Sequence, residues 1–106
     1  METQIKAINS YIQHNHLYLN INRNEAIFLG YNLNTTKTEY AILRALMENT
    51  KFPISAEQIS TLSSLEMSKE NIRFHISNIN KKAKITENRT LIKNIAKNGY
   101  FLNEEM

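Results

Sequence analysis

The sequence predicts an α+β fold: an N-terminal antiparallel sheet, three helices and a C-terminal β-hairpin. Three observations carry this. Apolar residues alternate with period two around Leu17–Leu33, they recur at helical spacing behind capping residues from Thr36 to Ala83, and β-prone runs return on either side of Asn98-Gly99. At 106 residues the chain fits one compact domain.

At the front, Ile5, Ile8 and Ile12 recur at helical spacing beside Tyr11, which predicts a short helix over residues 4–13. Residues 1–16 are accordingly read as a helix or linker segment ahead of a domain at residues 17–106. From Leu17 to Ile21, Leu17, Leu19 and Ile21 share one face and Tyr18 and Asn20 the other, the pattern of a half-buried strand. Asn22-Arg23-Asn24 is a turn, because asparagine tolerates left-handed backbone. Ala26–Leu29 resumes a strand, Gly30 interrupts it, and Tyr31–Leu33 is a short extended piece, giving two or three antiparallel strands.

Helical chemistry follows. Thr36-Lys-Thr-Glu39 has capping-box spacing, and behind it Tyr40, Leu43, Leu46 and Met47 form an apolar stripe that stops near Asn49. Phe52-Pro53-Ile54 is extended, since proline disfavours helix at the preceding residue. Ser55-Ala-Glu-Gln58 is a second capping box, opening a short helix with Ile59 and Leu62, and Thr61–Leu65 is a polar connector without a turn glycine. Ser68 caps a third helix of about 15 residues, buried along Ile72, Ile76, Ile79 and Ala83. The chain closes with Leu91–Ala96, Lys97-Asn98-Gly99 and Tyr100–Leu102, a hairpin signalled by Asn-Gly. Strands, three helices with a tight joint between the second and third, then a hairpin describe a winged helix-turn-helix, whose third helix (residues 68–84) enters the major groove and whose wing (residues 91–103) lies on backbone or minor groove.

Composition excludes several other functions. Cysteine and aspartate are absent, which removes disulfides, thiolate zinc sites, cysteine nucleophiles, Ser-His-Asp triads and aspartyl phosphorylation. Two isolated glycines build neither a P-loop nor a dinucleotide fingerprint. The longest apolar run, Ala26–Leu29, is too short for a membrane span, and the N-terminus lacks a signal-peptide pattern, so a cytoplasmic protein with no membrane partner is expected. His14 and His16 would share a side in an extended stretch, but no third ligand stands at a commending spacing, and neither a metal, a cofactor, a small-molecule substrate nor an enzymatic activity is expected. Residues 1–67 hold five Lys/Arg against six Glu, and residues 68–106 eight against four. The whole positive excess therefore falls in the last third, the footprint of a polyanion partner or, more blandly, of a solvated basic face.

Three sequence pieces then carry a family resemblance. Thr36-Lys-Thr-Glu-Tyr40 with Ile42-Leu43, Ile72-Arg-Phe-His-Ile-Ser-Asn-Ile79 with Lys81-Lys82, and Leu91-Ile-Lys93 with Asn98-Gly-Tyr100 together resemble the OmpR/PhoB family of winged-helix DNA-binding domains, over Leu17–Leu102. That resemblance implies a sequence-specific transcription regulator, usually the output half of a two-component response regulator that binds direct repeats as a head-to-tail dimer. It also implies a backbone phosphate contact at His75 and an RNA polymerase contact from the loop between the second and third helices, which is short here. Where the family is rich in arginine this chain has Ser77, Asn78, Asn80 and Ala96, and Lys97 replaces the first wing glycine. Without an aspartate to phosphorylate, it is expected to be either an excised output domain or a free-standing regulator. Abundant Lys, Asn and Ile, with AT-rich codons, point to a low-GC bacterial source.

On a helical wheel the far side of the third helix carries Glu70, Phe74, Ser77, Asn78 and Lys81, flanked by Arg73 and Lys84 on one side and by His75 and Lys82 on the other. Phe74 would meet thymine methyl groups or fold under the wing against Tyr100 or Phe101. Asn78 would pair with an adenine edge, and Arg73 with guanine or a phosphate. Lys81, Lys82 and His75 would hold phosphates, with Lys93, Lys97 and Asn98 as the wing's contacts. Glu70, in the first turn, is read as a dipole partner. The rival reading is a degenerate winged helix kept as a protein-interaction module, with Phe74, Tyr31 or Tyr18 as anchors for a regulatory protein.

Overall fold

The computed structural model describes residues 10–86, 90–95 and 99–103. Four short strands, β1 (Tyr11–His14), β2 (Leu17–Asn20), β3 (Glu25–Phe28) and β4 (Tyr31–Asn32), form an antiparallel meander in that order. The helices α1 (Lys37–Met47), α2 (Ala56–Ser63) and α3 (Lys69–Thr86) follow, and β5 (Ile92–Ile95) and β6 (Gly99–Leu102) make a second sheet.

The described end of the expected N-terminal helix is a strand instead. Tyr11, Ile12 and Gln13 lie in β1, with Ile12 opposite Leu19 and His14 opposite Leu17, whereas residues 4–9 lie outside the described residues. The physical reason is the free edge of β2. Asn15 takes a left-handed φ of 53°, and the chain turns back through Asn15 and His16 to cover that edge with backbone hydrogen bonds that a helix would leave unmade. The sheet therefore has four strands rather than two or three and begins at Tyr11. Its turns follow the asparagine and glycine chemistry. Asn20 Oδ1 accepts the amides of Asn22 and Arg23 at 3.0 and 3.2 Å, and Leu29 and Gly30 turn β3 into β4 with φ of 53° and 84°.

Both capping boxes form. Thr36 Oγ1 accepts the Glu39 amide at 3.1 Å and Glu39 Oε1 accepts the Thr36 amide at 2.9 Å, and Ser55 and Gln58 repeat the exchange at 3.1 and 2.8 Å. α2 runs through Thr61–Ser63, which the sequence places in a connector. The Thr61 and Ser63 hydroxyls fold back on the carbonyls of Glu57 and Ile59, and Ser64 ends the helix in the left-handed conformation without a glycine. Residues 64–68 then join α2 to α3, with the Met67 amide held by Ser60 Oγ at 2.9 Å. Ser68 Oγ accepts the Asn71 amide at 3.3 Å at the start of α3, which reaches 18 residues.

One core joins the two sheets through the helices. Leu17, Leu19 and Phe28 from the first sheet, Ile42, Leu43 and Leu46 from α1, Ile59 from α2, and Ile72, Ile76, Ile79 and Ala83 from α3 are all buried, with Ile92, Tyr100 and Leu102 closing the far side. The Ile54–Tyr100 bridge, with two backbone bonds of 2.9 and 2.7 Å, brings the connection after α1 against β6. It also explains Gly99, which is the first residue of β6 opposite Ile95 rather than a residue of the turn. A Cβ there would strike the Ile54 carbonyl, and φ is 113°, so glycine is required by close backbone approach.

Candidate nucleic-acid interface

The buried seam of α3 turns its opposite face to solvent. Glu70, Arg73, Phe74, Ser77, Lys81 and Lys84 are exposed, while His75, Asn78 and Lys82 are half-buried. Phe74 is 61% exposed and packs edge-on against the His75 ring, at a centroid distance of 5.5 Å and an interplanar angle of 71°. Of its two expected positions it takes the open one, in solvent. Burying a phenylalanine is worth roughly 1.5–3 kcal/mol, so one held in solvent at the centre of a helix face is available to a partner.

Between α3 and the wing runs a cleft. Its upper part is lined by Lys69 and Arg73 of α3, by Asn94 and Tyr100 of the wing and by the first residues of α2. The lower part continues past Arg73, Ser77, Lys81 and Lys84 to Thr90 and Asn94. Lys69, Arg73, Ser77 and Lys81 follow one another at four-residue steps, which stacks them along one side of the helix at about 6 Å per step. Thus the arginine and two of the lysines expected at the site, with Ser77, are brought together on the wing side. Lys69, Asn94 and Thr90 are cleft residues that the wheel did not single out. The four-residue spacing would have found Lys69; Asn94 of the wing and Thr90 just ahead of it come from a pairing across the molecule that spacing does not encode.

The remaining candidates fall elsewhere. His75 and Lys82 lie on the other flank. The Lys82 ammonium donates to Glu39 Oε1 at 2.6 Å and to the Asn34 carbonyl at 3.0 Å, joining α3 to the start of α1. Lys93 is half-buried on β5, opposite Phe101. Lys97 and Asn98 lie outside the described residues. Asn80 faces inward: its Nδ2 donates to the Ile92 carbonyl at 3.0 Å and its Oδ1 accepts the Ile92 amide at 2.8 Å. Away from the cleft, burial pushes the Tyr40 hydroxyl above its usual pKa, and the neighbouring Arg44 pulls against that shift. No cluster of three or more metal-ligating side chains occurs among the described residues, and no helix there is long and apolar enough to cross a membrane.

A three-helix unit with an exposed third helix beside a hairpin, and a cationic cleft between them, defines a winged-helix DNA-binding domain. The chain belongs to the family described as transcriptional regulatory protein, C terminal, whose model matches residues 30–102. This is the OmpR/PhoB type of output domain, a DNA-binding transcription-regulator domain and not an enzyme. Among solved structures the chain is similar to the DNA-binding domain of CpxR from E. coli, at 27% identity and a TM-score of 0.71, covering 87% of this chain and 94% of that one. The DNA-binding domain of the response regulator AdeR, solved in complex with an intercistronic region, shares the fold at 16% identity and a TM-score of 0.77, covering 87% and 98%. A RitR mutant matches at 18% identity and a TM-score of 0.74, covering 97% of this chain, which spans about half the length of that protein. No curated protein matches the sequence.

Proposed function

We propose that the domain binds double-stranded DNA sequence-specifically in transcription control, with residues 68–84 in the major groove and the wing, residues 91–103, on backbone or minor groove. The observation that carries this is the cleft between α3 and the wing, where Lys69, Arg73, Lys81 and Lys84 line one side and Asn94 and Tyr100 the other. Phosphates of one strand fit along that cationic side, and the N-terminus of α2 adds its positive dipole end at the top. Arg73, Ser77, Lys81 and Lys84 are its phosphate contacts, with His75 reaching the backbone from the other flank and Lys93, Lys97 and Asn98 serving the wing. On the outward face Phe74 meets thymine methyl groups and Asn78 an adenine edge, which favours A·T-rich sites. Two copies on direct repeats, a contact to RNA polymerase or a regulatory protein, and a cytoplasmic location complete the reading.

The test is fluorescence-anisotropy titration of an AT-biased duplex across a salt series. With five or six phosphates engaged, log K falls against log salt with a slope of roughly −5. No binding at low salt by a folded protein overturns the reading. It would favour the alternative of an interaction module anchored by Phe74 and by Tyr31, which is 64% exposed.

A further inference from the structure

We propose that Asn80 and Lys82 are positioning residues that brace the third helix from opposite sides, Asn80 against the wing and Lys82 against the start of α1, and that neither acts by touching DNA. The proposal rests on the DNA reading above and deepens it. Two residues apart on a helix, the pair points about 200° apart around the axis. The side-chain amide of Asn80 both donates to and accepts from Ile92, the double exchange that a neighbouring strand would offer to the first residue of β5. Wing and helix are thereby joined through a backbone residue, so the wing cannot shift along α3 without breaking both bonds.

On the opposite side the argument turns on Glu39. Its side chain is only 3% exposed, and Oε1 already accepts the Thr36 amide that starts α1. A buried carboxylate needs a cation. Lys82, itself 31% exposed, supplies it at 2.6 Å and also binds the Asn34 carbonyl. Moving that ammonium to an exposed phosphate would strand the carboxylate, a loss far larger than one surface ion pair returns. Lys82 therefore stays with Glu39 when DNA binds. The outward face that holds Phe74 and Asn78 is consequently fixed relative to the wing before any duplex arrives, which removes an ordering cost from binding.

Two measurements test the two arms. In the DNA-free protein, Asn80→Ala is expected to speed hydrogen exchange of the Ile92 amide about tenfold, the worth of one or two hydrogen bonds, while the Ile79 and Leu43 amides keep their rates. If Asn80→Ala does not fold, Asn80→Asp, which keeps the acceptor and loses the donor, takes its place with a smaller increase. An unchanged Ile92 rate overturns the wing arm. For the other arm, Lys82→Met is expected to lower affinity for the AT-biased duplex without changing the salt slope, and Lys82→Met with Glu39→Gln is expected to be no worse than Lys82→Met alone. A slope shallower by about one unit in Lys82→Met identifies a phosphate contact and overturns that arm. Absence of duplex binding by the unmodified protein instead overturns the DNA reading. The Ile92 exchange rate and the thermal-unfolding coupling between Lys82→Met and Glu39→Gln still decide whether the braces exist.

Discussion

The four-stranded sheet and the helix–wing unit share a single core and present opposite surfaces to solvent. Between Tyr11 and Asn32 the sheet carries one arginine and one glutamate, and its exposed side chains include Tyr11, Tyr18 and Tyr31. The cleft between α3 and the wing gathers Lys69, Arg73, Lys81 and Lys84, with Glu57 the carboxylate at its upper margin. Folding needs neither surface in that form, because both units are held by apolar seams: Leu17, Leu19 and Phe28 in one, Ile72, Ile76, Ile79 and Ala83 in the other. The lesson is that the charge is segregated from the stabilising contacts. Like charges set beside one another weaken a helix slightly, so the cationic row is not what holds α3 together.

Stability changes in the core test the first half of this comparison most strongly. Ile79→Ala, at a fully buried position, is expected to cost about 2–5 kcal/mol in chemical denaturation, and Leu19→Ala in the sheet a similar amount, since both seams belong to one core. A cost below about 1 kcal/mol at either site would divide the molecule into independent units. Arg73→Ala with Lys81→Ala is expected to weaken duplex binding about a hundredfold and to flatten the salt slope by nearly two units. Arg23→Ala, in the turn between β2 and β3, leaves both unchanged and supplies the matched charge loss on the sheet side.

Glycine replacements sharpen the same contrast. Both glycines have positive φ, but a Cβ on Gly30 meets open space and one on Gly99 meets the Ile54 backbone. Gly30→Ala is expected to cost about 1 kcal/mol from backbone strain alone, and Gly99→Ala clearly more, read as the difference in denaturation midpoint. The smallest effect concerns Tyr40. Its folded-state pKa is raised, so the folded protein holds that proton more tightly than the unfolded chain. The contribution is complete below the unfolded value near 10 and is lost as pH climbs through the folded one. Stability is therefore expected to decline above pH 10 less steeply in Tyr40→Phe than in the unmodified protein.

Much of this architecture is legible in the sequence because its determinants are local. Thr36 with Glu39 and Ser55 with Gln58 announce α1 and α2, and the spacing of Ile72, Ile76, Ile79 and Ala83 orients α3. What escapes is decided across the molecule. Ile12 satisfies a helical spacing with Ile5 and Ile8 just as well as a strand pairing with Leu19, and only the uncovered edge of β2 chooses between them. Asn98-Gly99 looks like a turn signal, yet Gly99 answers to Ile54, nearly half the chain away. At the site, the wheel identifies the outward face and its cations. It does not show that Lys82 faces a buried glutamate or that Asn80 grips the wing, since both partners lie on other elements.

The bridge between Ile54 and Tyr100 also bears on the order of assembly. Because the wing completes itself on a segment made before either α3 or the wing, and because Tyr100 and Leu102 fill core space beside the helices, a chain still emerging from the ribosome carries α1, α2 and α3 with one side uncovered. Closing that contact brings together residues far apart in sequence, the kind of step that loop entropy slows. The wing thus acts as a lock on the fold, and the cleft between α3 and the wing comes into existence only when that lock closes.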